Sequence, residues 1–343
     1  MKDIKPQVKL IFKLFVAILV LTGFVFLGLY IYKSNQPHIA KEKIVVKDWV
    51  LKDVLVEIAA GNVAKDVEYG YRLLAETSKW MGPMAEDPKM HFSGNNLSCT
   101  NCHLKAGTQA GSASWVGVTN RFPQYNGRAN KDITIEDRIN GCMERSMNGK
   151  KLPEKSEEMK AMVAYMAWIS KDLPKEREEE FKGYPDLQVP NVTVNLETGK
   201  ALFTKQCIIC HGANGQGMIL ADGSKGYQFP PLWGDDSYNN GAGMNRVLTA
   251  AQFIKGNMPF GQASYNKPVL TDEEAFHLAG YINSFERPIM KNTEADYPDL
   301  KKKPVSTSYG PWADNFSAEQ HKYGPFPPIV NYYKEKYDMN KTK

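Results

Sequence analysis

Apolar positions along the chain form one long uninterrupted run and a series of short helical stripes. Leu14 to Tyr32 is a run of 19 residues without a charge. At about 1.5 Å per residue it would reach roughly 28 Å, close to the ~30 Å of a bilayer core. Beyond it, Val67 to Trp80 places Tyr69, Leu73, Leu74 and Trp80 at helical spacing. Thr134-Ile135-Glu136-Asp137 has the form of a capping box and predicts a helix running to about Asn148. Ser156 to Ile169 predicts a second helix, with Met159, Met162, Val163, Met166 and Ala167 along one side. That stripe reads as core packing rather than a metal box. Glu197 to Lys205 is a third helical segment, and Thr271-Asp272-Glu273-Glu274 opens a fourth through Ala275, Leu278, Tyr281 and Ile282. Gly-rich loops fill the intervals after Leu104 and from Gly212 to Gly243. Residues 288–343 are rich in Lys, Pro and Tyr with little periodicity.

Charge changes the picture only at the start. The net charge is +5, yet residues 1–33 carry Lys2, Lys5, Lys9, Lys13 and Lys33 against Asp3 alone. That leaves about +1 on the rest of the chain, so no basic body points to a nucleic-acid partner. Lysines ahead of the apolar run predict an N-terminus in the cytoplasm and an exported body. The run is longer than a signal-peptide core, and its end, Leu29-Tyr30-Ile31-Tyr32, lacks a small-x-small cleavage site. It therefore reads as an uncleaved inner-membrane anchor, with a cleaved signal as the rival. Either way the body is expected in the periplasm. The expected organisation is an anchor or signal segment at 1–33, a tether at 34–64, domains at 65–171 and 195–288 joined by a linker at 172–194, and a tail at 289–343.

The chemistry lies in five cysteines. Cys99-Thr100-Asn101-Cys102-His103 and Cys207-Ile208-Ile209-Cys210-His211 are both C-x-x-C-H, the signature of c-type haem attachment. Two thiols about one helical turn apart reach the two vinyl groups of a porphyrin, and the adjoining histidine meets the iron. Both halves share a helix before the motif, a loop after it and a closing helix. The expected fold is therefore mainly α, with two class I cytochrome c-like domains in tandem behind the N-terminal transmembrane helix, holding two covalently attached haem c groups. His103 and His211 are one axial ligand each. For the second ligand of the C-terminal haem the candidates are Met218, Met244, Met258 and His277. Met258-Pro259, 47 residues after His211, has the arrangement usual in cytochromes c. A proline carbonyl at Pro231-Leu232 is expected to accept the His211 N–H.

Four thioethers leave Cys142 over, an unpaired thiol in an oxidising compartment. The loop equivalent to the Met258 loop offers Cys142, Met143 and Met147 to the first haem. Thiolate ligation stabilises Fe(III) and makes a poor carrier. Arg138, Cys142 and Ser146 are four apart and share a helix face, and Arg128 lies just upstream. A thiolate with guanidinium and hydroxyl groups suits a small sulfur oxyanion. Alternatively the arginines pair with haem propionates, Ser146 is surface, and the protein is a membrane-anchored dihaem carrier acting only in electron transfer.

From Arg138 to Lys150 the sequence Arg-Ile-Asn-Gly-Cys-Met-Glu-Arg-Ser-Met-Asn-Gly-Lys resembles the active-site segment of the dihaem thiosulfate dehydrogenases, also called tetrathionate reductases. Leu97 to Leu104, the second haem motif and Asn257-Met258-Pro259 are similar to that family as well, over roughly residues 65–290. The resemblance implies an enzyme interconverting thiosulfate and tetrathionate, with electrons passed to a small c-type cytochrome or membrane redox carrier. It implies that Cys142 is both an axial ligand of the first haem and the catalytic sulfur. Arg128, Arg138 and Ser146 fall on substrate-binding positions, and Met258 on the second-haem ligand. Some members carry a lysine just before that methionine; Asn257 stands here, which points to plain His211/Met258 ligation.

Overall fold

The computed structural model describes residues 13–15, 18–19, 21–27 and 49–341. Residues 1–48 and 49–343 form two separate units. In the first, the described residues between 13 and 27 are helical, and side chains such as Phe24 and Phe26 are exposed. Of the expected anchor, Leu14 to Tyr32, residues 16–17, 20 and 28–32 lie outside the described residues. Among the described residues no helix is long and apolar enough to cross a membrane.

The second unit holds two helical lobes. In the first lobe α1 (Val54–Ala59), α2 (Lys65–Ala75) and α3 (Thr77–Trp80) precede the first haem motif. A two-stranded ribbon follows it, β1 (Gln124–Asn126) antiparallel to β2 (Lys131–Ile133), and then α4 (Ile135–Arg145) and α5 (Glu157–Ile169). The second lobe contains α6 (Leu196–Gln206), α7 (Ile208–His211), a short antiparallel ribbon of β3 (Met218–Ile219) and β4 (Tyr227–Phe229), α8 (Val247–Asn257) and α9 (Asp272–Ile282). β1 and the second ribbon fall in stretches that composition marks only as Gly-rich loop.

Each lobe is built on one close helix crossing. α2 meets α5 at Gly70, where an added Cβ would lie 1.9 Å from the Ala161 carbonyl oxygen. α6 meets α9 at Gly199, where a Cβ would lie 2.4 Å from the His277 carbonyl oxygen. Backbone touches backbone at both points, and no rotamer change can make room for a side chain. Around the crossings, Leu73, Met159 and Tyr165 fill the first core and Phe203, Ala251 and Phe276 the second. The three methionines of the α5 stripe are buried, as expected of core, whereas Val163 is half-buried and Ala167 exposed.

The capping box Thr134/Asp137 opens α4, and Thr271/Glu274 opens α9, both as the sequence predicts. The helix expected over Val67–Trp80 is instead two, broken at Glu76 with φ −118° and ψ 37°. The break frees Thr77 to face the haem motif: its Oγ1 accepts from the Cys99 N–H at 3.2 Å. α4 ends at Arg145, short of the Asn148 expected, because Ser146 caps it and Asn148 takes a positive φ.

The folded body begins at Trp49. Its indole N–H donates to the Lys171 carbonyl at 2.9 Å, and its ring packs edge-on against Phe181. The C-terminal stretch is structured, with α10 (Ala318–Tyr323) and α11 (Pro327–Tyr337). Ile329 and Tyr333 of α11 complete the second core, and Tyr333 donates to Asp314 at 2.7 Å. Side-chain amides join the lobes. Asn95 donates to the Ser146 and Ser237 carbonyls, Asn239 to the Glu144 carbonyl, and Gln109 to Asn257 Oδ1 at 2.7 Å.

Candidate active site

Each haem motif faces its own cavity. The first, about 320 Å³, is lined by Cys99, Cys102, His103, Arg138, Cys142 and Ser146. The second, about 260 Å³, is lined by Cys207, Cys210, His211, Met244 and Met258. All five cysteines are free of disulfides. His103 Nδ1 meets the Ala113 carbonyl at 2.8 Å, and His211 Nδ1 meets the Pro230 carbonyl at 2.8 Å. The expected proline carbonyl is thus supplied one residue earlier than Pro231, by Pro230 directly after β4. Both histidines spend Nδ1 on backbone, which leaves Nε2 for a metal and fixes the ring. Cavities that each present two thiols and one such imidazole fit a covalently attached porphyrin.

In the first cavity Cys142 and His103 line the same wall, close enough for the imidazole to act on the thiol. Burial raises the Cys142 thiol, but Arg138, the His103 ring and Arg145 outweigh it and bring the thiol down to about 7. The attachment thiols go the other way: burial pushes Cys99 up to about 12 and Cys102 up to about 11. Cys142 is thus the sulfur of this cavity most readily held as thiolate. Met143 and Met147 also line the cavity and are buried. The α4 face behaves as its spacing predicts, with Arg138, Cys142 and Ser146 all on the cavity wall.

Arg128 is placed elsewhere. It is not on the cavity wall; its Nη1 donates to the Gly241 carbonyl at 2.8 Å and pairs with Asp296 at 3.5 Å. Asp296 also takes Arg145 Nη2 at 2.7 Å and the Tyr309 hydroxyl at 2.6 Å. Sequence reading misses Asp296, Arg145 and Arg246. Nothing local singles out one acid in a Lys- and Pro-rich tail. Arg145 sits three residues after Cys142, a helical spacing that could have drawn attention. Arg246 stands at the N-cap of α8, and its buried Nε has no hydrogen-bond partner among the described residues.

Of the four candidates for the second haem, Met244 and Met258 line the cavity; Met218 and His277 do not. His277 Nδ1 instead accepts from the Asn195 N–H at 3.1 Å. Asn257 points away, its amide donating to the Gly111 and Phe253 carbonyls, both at 2.9 Å.

Comparison with known proteins agrees with this arrangement. Residues 90–174 match the family described as SoxA/TsdA, cytochrome c domain, and residues 194–282 match cytochrome C oxidase, cbb3-type, subunit III. A thiosulfate dehydrogenase of Allochromatium vinosum is 40% identical over 240 residues, covering 69% of this chain and 83% of that protein. The chain belongs to the thiosulfate dehydrogenase family. A thiosulfate dehydrogenase of Psychrobacter arcticus is 44% identical over 60% of this chain, and the match spans 61% of that relative's length. The solved thiosulfate dehydrogenase TsdBA of Marichromatium purpuratum, in its as-isolated form, shares 32% identity and a TM-score of 0.58. That match covers 69% of this chain and 52% of the TsdBA chain. The cofactors are two haem c groups.

Proposed function

We propose that the protein interconverts thiosulfate and tetrathionate, two thiosulfates giving one tetrathionate and two electrons. The observation that carries this reading is the sulfur of Cys142, on the wall of the cavity that His103, Arg138 and Ser146 also line. His103 and Cys142 would hold the first iron, and His211 and Met258 the second. Once bound, the two haems supply sinks for one electron each.

The chain's own residues do the sulfur chemistry. In the oxidative direction the Cys142 thiolate joins the terminal sulfur of one thiosulfate, and the new S–S bond releases two electrons. A second thiosulfate attacks that terminal sulfur and displaces the Cys142 thiolate, leaving tetrathionate. In reverse, Cys142 attacks the central S–S bond of tetrathionate, thiosulfate leaves, and two electrons cleave the remaining bond. Arg138 offsets the repulsion between two dianions, and the Ser146 hydroxyl can donate to a sulfonate oxygen. Arg128, off the cavity wall, serves the site by pairing with Asp296, the carboxylate that also holds Arg145. The haem that His211 and Met258 would hold would hand electrons on to a small c-type cytochrome or a membrane redox carrier. The cytochrome domains occupy 65–171 and 195–288, and residues 14–32 tether them to the periplasmic side of the inner membrane.

The test is turnover by the purified holoprotein. Thiosulfate with ferricyanide should give one tetrathionate per two ferricyanides reduced. Cys142→Gly should keep both haems attached and lose turnover in both directions. Retained activity in that variant would reduce the protein to an electron carrier.

A further inference from the structure

The two haem cavities share a wall. Leu97, Cys102, Tyr238 and Met244 line both of them. Cys102 is an attachment residue of the first haem, so the wall begins at that haem's own thioether. Tyr238 is the one aromatic ring among the four, and it is 8% exposed.

That ring is held firmly. Its hydroxyl donates to Asn283 Oδ1 at 3.1 Å, just past the end of α9. The Arg287 guanidinium lies 4.2 Å from its centroid, a close cation–π contact. Arg287 is itself fixed by the Ile282 carbonyl at 3.0 Å and Asn283 Oδ1 at 3.2 Å. On either side of the tyrosine, Ser237 and Asn239 bind the first lobe. The Ser237 carbonyl accepts from Asn95 at 3.1 Å, and Asn239 donates to the Glu144 carbonyl at 2.9 Å. The loop is thereby pinned to both helices that frame the cavities, α4 and α9. Burial pushes the phenol above its ordinary value, so the ring stays neutral.

We propose that Tyr238 is a positioning residue for electron exchange between the two haems, its ring filling the shared wall as the through-contact path from one to the other. One electron leaves the first haem and one arrives at the second; no bond is made and no proton moves. An aliphatic side chain in the same place would leave the path without a π system and with a poorer fit. The hydroxyl and Arg287 serve to aim the ring. The inference rests on both cavities holding haem and not on the identity of the substrate, so it stands or falls separately from the thiosulfate reading.

The experiment is photochemical injection of one electron into the oxidised holoprotein, without any sulfur substrate, following its redistribution between the two haems by their separate absorption bands. Potentials of both haems are measured in parallel. Tyr238→Phe keeps the ring and should equilibrate within about twofold of the parent, whereas Tyr238→Leu should be slowed by about tenfold or more, with both potentials unmoved. Tyr238→Met, which fills irregular space, replaces the leucine variant if that fails to attach both haems. Equilibration at the parental rate in the aliphatic variant would overturn the proposal. So would equal slowing in the phenylalanine and aliphatic variants.

Discussion

Arg145 and Asp296 lie 151 residues apart and meet at 2.7 Å, three residues beyond Cys142. The same carboxylate reaches Arg128 at 3.5 Å, so one acid of the C-terminal stretch braces two arginines beside the candidate site. The side chains of the Arg145–Asp296 pair are 15% and 9% exposed. Removing one partner of such a pair leaves charge buried without compensation. Asp296→Asn is expected to lower unfolding stability by about 3 kcal/mol. Because the pair is shielded from solvent, the loss should persist at high salt. Denaturant unfolding of parent and variant at low and high sodium chloride checks both points; a difference that vanishes at high salt would make the pair an ordinary surface contact.

Gly70 is the tighter of the two helix crossings. Gly70→Ala places a methyl where the Ala161 carbonyl oxygen sits, and the neighbour is backbone. The expected cost is at least about 2 kcal/mol, at the upper end of overpacking effects. Thermal unfolding of the holoprotein measures it. Gly141→Ala is the control, since a Cβ there meets nothing within 4 Å.

Lys303 gives the stability a pH dependence of known sign. Its side chain is buried, donates to the Pro311 carbonyl at 2.8 Å and lies 4.8 Å from the Tyr309 ring centre. Burial brings it down from 10.5 to about 8, with Asp296 opposing and Arg128 assisting. The unfolded chain therefore binds this proton more tightly than the folded one. Stability should rise as pH climbs from about 8 to 10.5 and lose that contribution as pH falls back through 8. Lys303→Met removes the window, so the parent-minus-variant difference should change by about 3 kcal/mol across it. A difference that stays level with pH would refute the assignment.

The parts of the fold written in local chemistry were legible. Thr134/Asp137 and Thr271/Glu274 needed only a spacing of three to mark where helices start. Arg138, Cys142 and Ser146 needed only a spacing of four to share a cavity wall. What depends on distant contacts was not. Glu76 breaks a helix whose apolar pattern continues past it, because Thr77 is turned toward Cys99. The last helix carries Phe326, Ile329, Val330 and Tyr333 at helical spacing, a signal obscured by the neighbouring prolines. Asp296 offers no local signal, and its role comes from chain return alone. Arg128 had the right residue type, yet Asp296 and the Gly241 carbonyl hold it off the cavity wall.

The most direct measurement of the central claim is low-temperature EPR of the oxidised holoprotein beside Cys142→Gly, Met143→Leu and Met147→Leu. The account predicts one low-spin signal of the histidine–thiolate type and one of the histidine–methionine type in the parent. The thiolate signal should be lost in Cys142→Gly alone, with both haems still attached. A parent showing two histidine–methionine signals, or a first-haem signal that changes with Met143 or Met147 and not with Cys142, would contradict it.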